Sequence, residues 1–153
     1  MRIGIISDTH GLLRPQALEL LAGVDHILHA GDVGSPAILP ELERIAPVTA
    51  IRGNVDTQAW AAELPETARI TFEGHSIFVR HDRKALDLDP AQEGIAAVIS
   101  GHSHKPGVET VDGVLYLNPG SAGRRRFRLP VTVATLEVGG HGLIPFLHEI
   151  VSG

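Results

Sequence analysis

Seven Asp, His and Asn side chains follow the ends of five short apolar runs in this chain. They occur in the signatures Asp8-Thr9-His10, Gly31-Asp32, Gly53-Asn54, His81 and Gly101-His102-Ser103-His104. Carboxylate, amide and imidazole groups all bind divalent metals, and ligand sites of α/β proteins gather at the carboxyl ends of strands. We therefore predict one metal site whose ligands are Asp8, His10, Asp32, Asn54, His81, His102 and His104.

The number of candidate ligands favours two metals over one. A catalytic metal usually keeps three or four protein ligands and an open position, so seven groups suit two cations that share one carboxylate. Two cations about 3.5–4 Å apart can hold a phosphate between them and generate a hydroxide nucleophile. The chain has no cysteine, so the ligands must be oxygen and imidazole nitrogen, which fits Mn, Fe, Zn, Ni or Co without choosing between them.

The spacing within two of the signatures also suggests convergence. Asp8 and His10 are two residues apart, as are His102 and His104. In an extended chain such residues point to the same side, so each pair could face one point beyond its strand. The glycines at positions 31, 53 and 101 fit the sharp departures that turns carrying ligands require.

The first third of the chain alternates between strand and helix patterns. We expect strands at residues 3–6, 27–30 and 48–52, and a helix that begins at Pro15. A second helix is expected after Ser35 as its N-cap, with Pro36 as its first residue. This order of elements predicts a parallel sheet at the start of the chain.

The rest of the chain is richer in strands. Hairpins are predicted around Glu73-Gly74, around Asp112-Gly113 and around residues 139–142, with one further strand at residues 96–100. We therefore predict a mixed α/β (α+β) fold in a single domain over residues 1–153, in which two sheets pack together with helices outside.

Composition limits the class of protein. The 153 residues, 43% hydrophobic and 20% charged, are typical of one soluble globular domain. A formal charge of -5 argues against stable nucleic-acid binding. The sequence has no apolar stretch near 18 residues and no pattern of a signal peptide, so we expect a cytoplasmic protein with no membrane partner.

The ordered series D-x-H, GD, GN, H and GHxH resembles the calcineurin-like metallophosphoesterase superfamily. Its small prokaryotic YfcE-type phosphodiesterase branch is similar in size, in the opening Ile-Ser-Asp-Thr-His-Gly and in Asn118-Pro119-Gly120-Ser121. The resemblance implies a four-layer αββα fold made of two mixed sheets and flanking helices. It also implies two divalent metals, manganese first and nickel, iron, zinc or cobalt as alternatives. The implied reaction is hydrolysis of a small-molecule phosphoester, above all a diester, by in-line attack of a bridging hydroxide.

The resemblance also implies a role for each candidate residue. Asp8, His10, Asp32 and His104 would bind the first metal, Asp32 would bridge, and Asn54, His81 and His102 would complete the second. Asp32, Asn54 and His102 would act in catalysis through the metals, and Asn54 would also contact the substrate. Asp56 would either orient a ligand or a metal-bound water, or cap the segment that follows it.

Three further segments have two interpretations each. Arg124 begins a basic run with Arg125, Arg126 and Arg128, which is either a solvated face or a source of one Arg for the substrate phosphate. Residues 118–121 predict a tight turn, with a contribution to the pocket wall as the alternative. His29 lies inside an apolar run and is expected to pack within the fold, with a metal role as the alternative.

Two positions depart from the pattern of the superfamily. Many members have a His directly after the Asn of the GN motif, where it helps to protonate the leaving group, but this chain has Val55. We therefore expect a weak general acid or none, and a preference for diesters with activated leaving groups. His81 is followed by Asp82-Arg83 in place of the usual Gly-His, which can alter the choice of substrate.

Other functions of the same fold stay open at this point. The eukaryotic retromer subunit resembles these enzymes and acts as a protein-interaction scaffold, but it has lost metal-coordinating histidines that this chain keeps. A phosphomonoesterase or a nucleotide pyrophosphohydrolase could use the same metal centre. Related proteins are often oligomers, so a homo-oligomer is a further expectation that the sequence does not decide.

Overall fold

Two five-stranded sheets make up the framework of the protein in a computed structural model, which describes residues 1–125 and 128–150. The strands are β1 (Arg2–Ile6), β2 (His26–His29), β3 (Val48–Ala50), β4 (Thr67–Phe72), β5 (His75–Arg80), β6 (Ile95–Ile99), β7 (Gly107–Val111), β8 (Val114–Asn118), β9 (Val131–Gly139) and β10 (Gly142–Ile150). The α-helices are α1 (Pro15–Leu20) and α2 (Ile38–Glu43), and short 3-10 turns occur at Ala59–Ala61 and Arg83–Ala85.

The first sheet joins the two ends of the chain. Its strand order is β10-β9-β1-β2-β3, with β1, β2 and β3 parallel and β9 antiparallel to β1. The predicted parallel start and the predicted C-terminal hairpin are therefore both present. The pairing of β9 with β1, from Arg2 opposite Glu137 to Ile5 opposite Ala134, was not a prediction of the sequence patterns.

The second sheet combines three parallel strands with two hairpins. Its order is β4-β5-β6-β8-β7, in which β5, β6 and β8 are parallel. The predicted hairpin turns lie at Glu73-Gly74 and Asp112-Gly113, and all four of these residues have positive φ. A left-handed conformation at both central residues is the geometry that makes Asp-Gly a strong hairpin signal.

The two sheets pack face to face through an apolar core. Ile3, Ile5 and Leu28 of the first sheet and Ile77 and Leu117 of the second belong to this core and are almost completely buried. Because side chains alternate along a strand, the neighbouring residues of each strand face outwards and need a second cover. The expected two-sheet sandwich is confirmed.

The two outer faces of the sandwich are covered differently. Over the first sheet, α1 and α2 bury Ala17 and Leu42 in a second apolar cluster. Over the second sheet, Phe78 packs with Leu86 and Leu88, which belong to a loop segment with one 3-10 turn. None of the described helices is long and apolar enough to cross a membrane.

Helix α2 begins two residues later than the sequence pattern predicts. Its N-cap is Ala37, and the expected cap, Ser35, accepts a hydrogen bond from the Ala37 N–H at 3.3 Å through Oγ. The later start places Pro40 in the first turn of the helix. Its missing N–H would break a helical hydrogen bond if the helix began at Pro36, so Pro40 sets the start.

Candidate metal centre

The five polar signatures follow the carboxyl ends of five strands. Strands β1, β2, β3, β5 and β6 end at Ile6, His29, Ala50, Arg80 and Ile99, and the signatures follow each end. The first three of these strands belong to one sheet and the last two to the other. The candidate site therefore spans the interface between the sheets.

The loops bring the candidate ligands together in two clusters. Asp8, His10 and His104 offer ligand atoms that all lie within 4.8 Å of one another, and Asp32, His81 and His102 form a second such group. Asn54 lies beside the second group, with its Nδ2 atom 3.2 Å from Nδ1 of His102. All seven residues named from the sequence thus meet at these strand ends.

Asp32 lies between the two clusters. Its Oδ2 atom is 3.0 Å from Nε2 of His81 and 3.6 Å from Nε2 of His10. Its other oxygen, Oδ1, accepts a hydrogen bond of 3.0 Å from the backbone N–H of Val55. One carboxylate oxygen is held by the backbone, and the other faces imidazoles of both clusters.

The two oxygens of Asp8 also have different surroundings. Oδ2 accepts hydrogen bonds from the Ser7 hydroxyl at 2.7 Å and from the His102 backbone N–H at 3.1 Å. Oδ1 faces the Nε2 atoms of His104, His10 and His81 at 3.5, 3.6 and 3.8 Å. The bond to His102 also links the first signature to the last.

The surroundings of Asp8 Oδ1 fit a divalent cation. This atom is buried and has no hydrogen-bond partner among the described residues, which is unfavourable for a carboxylate oxygen. Nitrogen and oxygen ligands bind such cations at about 2.0–2.2 Å, so ligands of one cation lie roughly 3–4 Å from each other. The distances of 3.5 and 3.6 Å from Oδ1 to Nε2 of His104 and His10, the two imidazoles of the same cluster, match that range.

His81 is held in an orientation suited to metal binding. Its Nδ1–H donates a hydrogen bond of 2.7 Å to the carbonyl oxygen of Ala30, which directs Nε2 towards Asp32 and Asp8. Burial lowers the pKa of His81, but the bond to Asp32 and the charge of Asp8 outweigh it and raise the pKa. The pocket therefore favours a positive charge at Nε2.

The pKa of Asp32 is shifted by its interaction with His81. Burial raises the pKa of Asp32, but its bonds to His81 and to the backbone N–H of Val55 outweigh burial and hold the pKa well below its usual range. Asp32 is thus an ionised carboxylate throughout the ordinary pH range. An ionised carboxylate is the form that binds a metal.

Five candidate ligands adopt a left-handed backbone conformation. The φ angles of Asp8, His10, Asp32, His102 and His104 lie between +47° and +69°. This conformation is uncommon for residues other than glycine and costs on the order of 1–3 kcal/mol at each position. The extended alternation expected from the spacing is therefore not what positions these side chains, and His102 and His104 enter different clusters.

The glycines at positions 53 and 101 are required for space. A Cβ atom at Gly53 would lie 2.2 Å from Oδ1 of Asp32, and one at Gly101 would lie 2.5 Å from Oδ2 of Asp8. Both contacts are far inside van der Waals distance. Of the three glycines expected to form sharp turns, Gly31 does have a positive φ, of 102°.

Comparison with known proteins identifies the family. The family model described as the calcineurin-like phosphoesterase superfamily domain matches residues 1–141. The chain belongs to the calcineurin-like phosphoesterase superfamily. A probable metallophosphoesterase of Methanothermobacter thermautotrophicus is 36% identical, over 94% of this chain and 89% of its own length.

Two further relatives differ in what their names describe. A phosphodiesterase of Methanocaldococcus jannaschii is 31% identical over 78% of this chain and 83% of its own length. The crystal structure of zinc-bound Vps29 from Entamoeba histolytica has a TM-score of 0.84 and 25% identity, over all of this chain and 94% of that chain. The expected membership of the superfamily and its sandwich fold are confirmed.

Asp56 belongs to the G-N-x-D segment of this superfamily member. It connects two of the loops that form the site. Its carboxylate accepts hydrogen bonds from the backbone N–H groups of Val33, Gly34 and Gly53, each at 3.0 Å. The side chain is buried, and both oxygens are used in these bonds. Asp56 thus holds the loop of Asp32 against the loop of Asn54, and any contact with a metal-bound water stays a prediction.

His29 and Thr9 form a buried hydrogen-bonded chain that the sequence patterns did not reveal. His29 Nδ1 accepts the Gly31 N–H at 3.1 Å, so His29 Nε2–H donates to Thr9 Oγ1 at 3.0 Å. The Thr9 hydroxyl then donates to the carbonyl oxygen of Val33 at 2.8 Å. Burial lowers the pKa of His29 to about 4, and the expectation that His29 packs within the fold is confirmed.

The segment at residues 118–121 also supports the site. The Asn118 side-chain amide donates to the Gly101 carbonyl at 2.9 Å and to Ser103 Oγ at 3.1 Å. The Ser121 hydroxyl donates to the Asp8 carbonyl at 3.0 Å. The predicted turn therefore ties together the loops that carry Asp8 and His102.

Val55 and Asp82 occupy the two positions that depart from the superfamily pattern. Val55 is 48% exposed, and its side chain carries no proton donor. Asp82 lies beside the second cluster, with its Oδ2 atom 4.0 Å from Nε2 of His102, and its Oδ1 atom accepts the Lys84 N–H at 3.0 Å.

The basic run begins beside the first signature. Arg124 is exposed and follows Gly123, where an added Cβ would lie 2.2 Å from the Thr9 carbonyl oxygen. Arg125 donates to the Leu129 carbonyl at 3.2 Å. Arg126 lies outside the described residues, and a contact between Arg124 and substrate stays a prediction.

Proposed function

We propose that this protein is a phosphodiesterase that uses two divalent metal ions to hydrolyse a small-molecule phosphoester. The observation that carries the proposal is the position of Asp32 Oδ2, which faces His81 of one cluster at 3.0 Å and His10 of the other at 3.6 Å. A carboxylate oxygen that faces ligands of both clusters is well placed to be shared by two neighbouring cations.

The donor set divides into two groups that share Asp32. Asp8, His10 and His104 would hold the first cation, and Asn54, His81 and His102 the second. When bound, the cations would neutralise phosphoryl charge and supply a hydroxide between them for in-line attack. Manganese is the first candidate, with nickel, iron, zinc or cobalt as alternatives, because oxygen and imidazole ligands accept all of them.

The burial of the ligands indicates where a substrate approaches. Asp8, Asp32, His81 and His104 are buried, whereas Asn54 and His102 are exposed. The open side of the centre is therefore the side of Asn54 and His102. There the Asn54 amide, one of the proposed substrate contacts, can meet a phosphoryl oxygen.

The charge and proton donors of the centre favour a particular ester. Two aspartates neutralise only half of the charge of two divalent cations, which leaves a positive site for an anionic phosphate. The Val55 side chain has no acidic proton to donate. A poor leaving group at that position therefore departs without general acid catalysis. A diester with an activated leaving group is therefore the expected best substrate.

The proposal is tested by removing and restoring the metal. The protein is dialysed against EDTA, manganese is added back, and metal content and hydrolysis of bis(p-nitrophenyl) phosphate are measured before and after. We expect hydrolysis to disappear with EDTA and to return with manganese, at about two metals per chain. A chain that binds no metal and shows no metal-dependent hydrolysis would contradict the proposal.

A protein-interaction scaffold is the second candidate function. The structural similarity to Vps29, with a TM-score of 0.84, shows that this fold is not confined to the proteins named as phosphoesterases. A negative result in the metal experiment would support a scaffold. A phosphomonoesterase or a nucleotide pyrophosphohydrolase would use the same centre as the diesterase. Hydrolysis rates for a diester, an alkyl monoester and a nucleoside diphosphate separate these activities.

The partners and location of the protein are expectations that come from its sequence. The formal charge of -5 argues against a nucleic-acid partner. A cytoplasmic location and a homo-oligomeric state remain predictions. Arg124 remains a proposed contact for the substrate phosphate.

A further inference from the structure

A large groove opens beside the metal centre, on its exposed side. The groove has a volume of about 670 Å³ and extends from Gly101 and His102 past Lys105 to Tyr116. His102 belongs both to the groove and to the second ligand cluster. The groove is therefore continuous with the metal centre, and a substrate held at the centre can extend into it.

Arg83 is fixed in this groove as a planar cation. Its guanidinium carbon lies 4.0 Å from the centre of the Tyr116 ring, and its Nη1 donates to Glu109 at 2.9 Å. No other hydrogen bond of the Arg83 side chain occurs among the described residues. The remaining N–H groups of the fork are thus held in place for another acceptor, which lowers the entropy lost on binding.

Two lysines add unneutralised charge to the same groove. Lys84 and Lys105 line it and are exposed, and neither forms an ion pair within the described part of the chain. The carboxylates in the lining are Asp82 and Glu109, and the latter is already paired with Arg83. The groove is therefore locally cationic in a protein whose formal charge is -5.

We propose that Arg83, supported by Lys84 and Lys105, binds a second anionic group on the part of the substrate remote from the reacting phosphorus. The substrate class is then a phosphodiester that carries a further phosphate or carboxylate, such as a phosphorylated nucleoside ester. This inference rests on the proposed phosphodiesterase function. It assigns a specificity role to the Asp82-Arg83 segment, where the chain departs from the pattern of its superfamily.

The test uses two substrates that differ only in the second anion. One is the p-nitrophenyl ester of thymidine 5′-phosphate, and the other carries an additional 3′-phosphate. We expect a kcat/KM roughly tenfold or more higher for the second, because charge-assisted hydrogen bonds are the strong ones. Arg83→Ala should remove most of this preference, so that the two thymidine esters react with similar kcat/KM.

One control variant separates a local effect from a general loss of positive charge. Arg44→Ala removes an exposed arginine of the α2 helix region, outside the groove, and should keep the wild-type preference. Like Arg83→Ala, Lys105→Ala should reduce the preference, since Lys105 lines the same groove.

The outcomes distinguish this inference from the function on which it rests. If bis(p-nitrophenyl) phosphate is hydrolysed but the two thymidine esters react equally, the groove assignment is overturned and the phosphodiesterase stands. If no ester is hydrolysed, calorimetry on the metal-loaded protein compares thymidine 3′,5′-bisphosphate with thymidine 5′-phosphate. Tighter binding of the bisphosphate that is lost in Arg83→Ala supports the groove, and equal affinities overturn it.

Discussion

The backbone N–H of Val55 donates a hydrogen bond of 3.0 Å to Oδ1 of Asp32, while Val55 as a residue is 48% exposed. Val55, which stands where many members of the superfamily have a His, thus orients the Asp32 carboxylate through its backbone alone. Its side chain can be exchanged without removing the bond to Asp32.

We predict that Val55→His improves the hydrolysis of esters with poor leaving groups. An imidazole at this exposed position would supply the missing proton donor, and general acid catalysis contributes typically 10²–10⁴-fold. A rise of about tenfold or more in kcat is expected for a dialkyl phosphate ester, with little change for bis(p-nitrophenyl) phosphate. Steady-state rates with both substrates measure this difference.

Val55→Ala is the matched control for that substitution. It keeps the backbone N–H and adds no proton donor, so both rates should stay close to wild type. Equal gains for the two substrates in Val55→His would argue against a role in protonation. Wild-type enzyme that already turns over an alkyl monoester as fast as bis(p-nitrophenyl) phosphate would do the same.

Asp32→Asn and Asn54→Ala should affect the two metals differently. Asp32→Asn weakens the proposed bridge, so both metals should be lost and the rate should fall by at least about 100-fold. Asn54→Ala removes a ligand of the second cluster alone and should leave the first metal bound. Metal content per chain after gel filtration checks both results, and an Asp32→Asn protein with two metals and a normal rate would disprove bridging.

Gly53→Ala should disturb the centre without changing any ligand. An added Cβ would lie 2.2 Å from both the backbone nitrogen and Oδ1 of Asp32, so the loop must shift. We expect a loss of stability of about 1–3 kcal/mol and weaker metal binding. Gly140→Ala is the control, since nothing lies within 4 Å of its added Cβ, and a normal Gly53→Ala protein would refute the close packing.

The fold was predictable where signals are local. Apolar runs that end in polar signatures marked the strands, and Asp112-Gly113 marked its hairpin, because both patterns act over a few residues. The sequence did not show that β9 pairs with β1, since this contact joins residues more than a hundred positions apart. The predicted start of α2 is wrong. Ser35-Pro36 resembles the N-terminus of a helix, but Pro40 sets where the helix begins.

The site was predictable in its membership and not in its geometry. The seven candidate ligands do converge, but left-handed backbone at Asp8 and His102 positions them in place of an extended chain. Asn118 holds the loop of His102 through hydrogen bonds to Gly101 and Ser103, which are distant in sequence. The stacking of Arg83 on Tyr116 likewise depends on the packing of separate elements.

The contribution of His29 to the stability of the metal-free protein should fall as the pH drops. Burial lowers its folded-state pKa to about 4, below an unfolded value of 6.5, so the unfolded chain binds the proton first. Stability is therefore lost as the pH falls from 6.5 towards 4, by about 2 kcal/mol at pH 5 and about 3 kcal/mol in full. Urea unfolding in EDTA at pH 7, 6 and 5 measures this loss. His29→Gln should show a smaller loss and the surface variant His141→Gln the full one, and identical slopes in all three proteins would contradict a buried neutral imidazole at position 29.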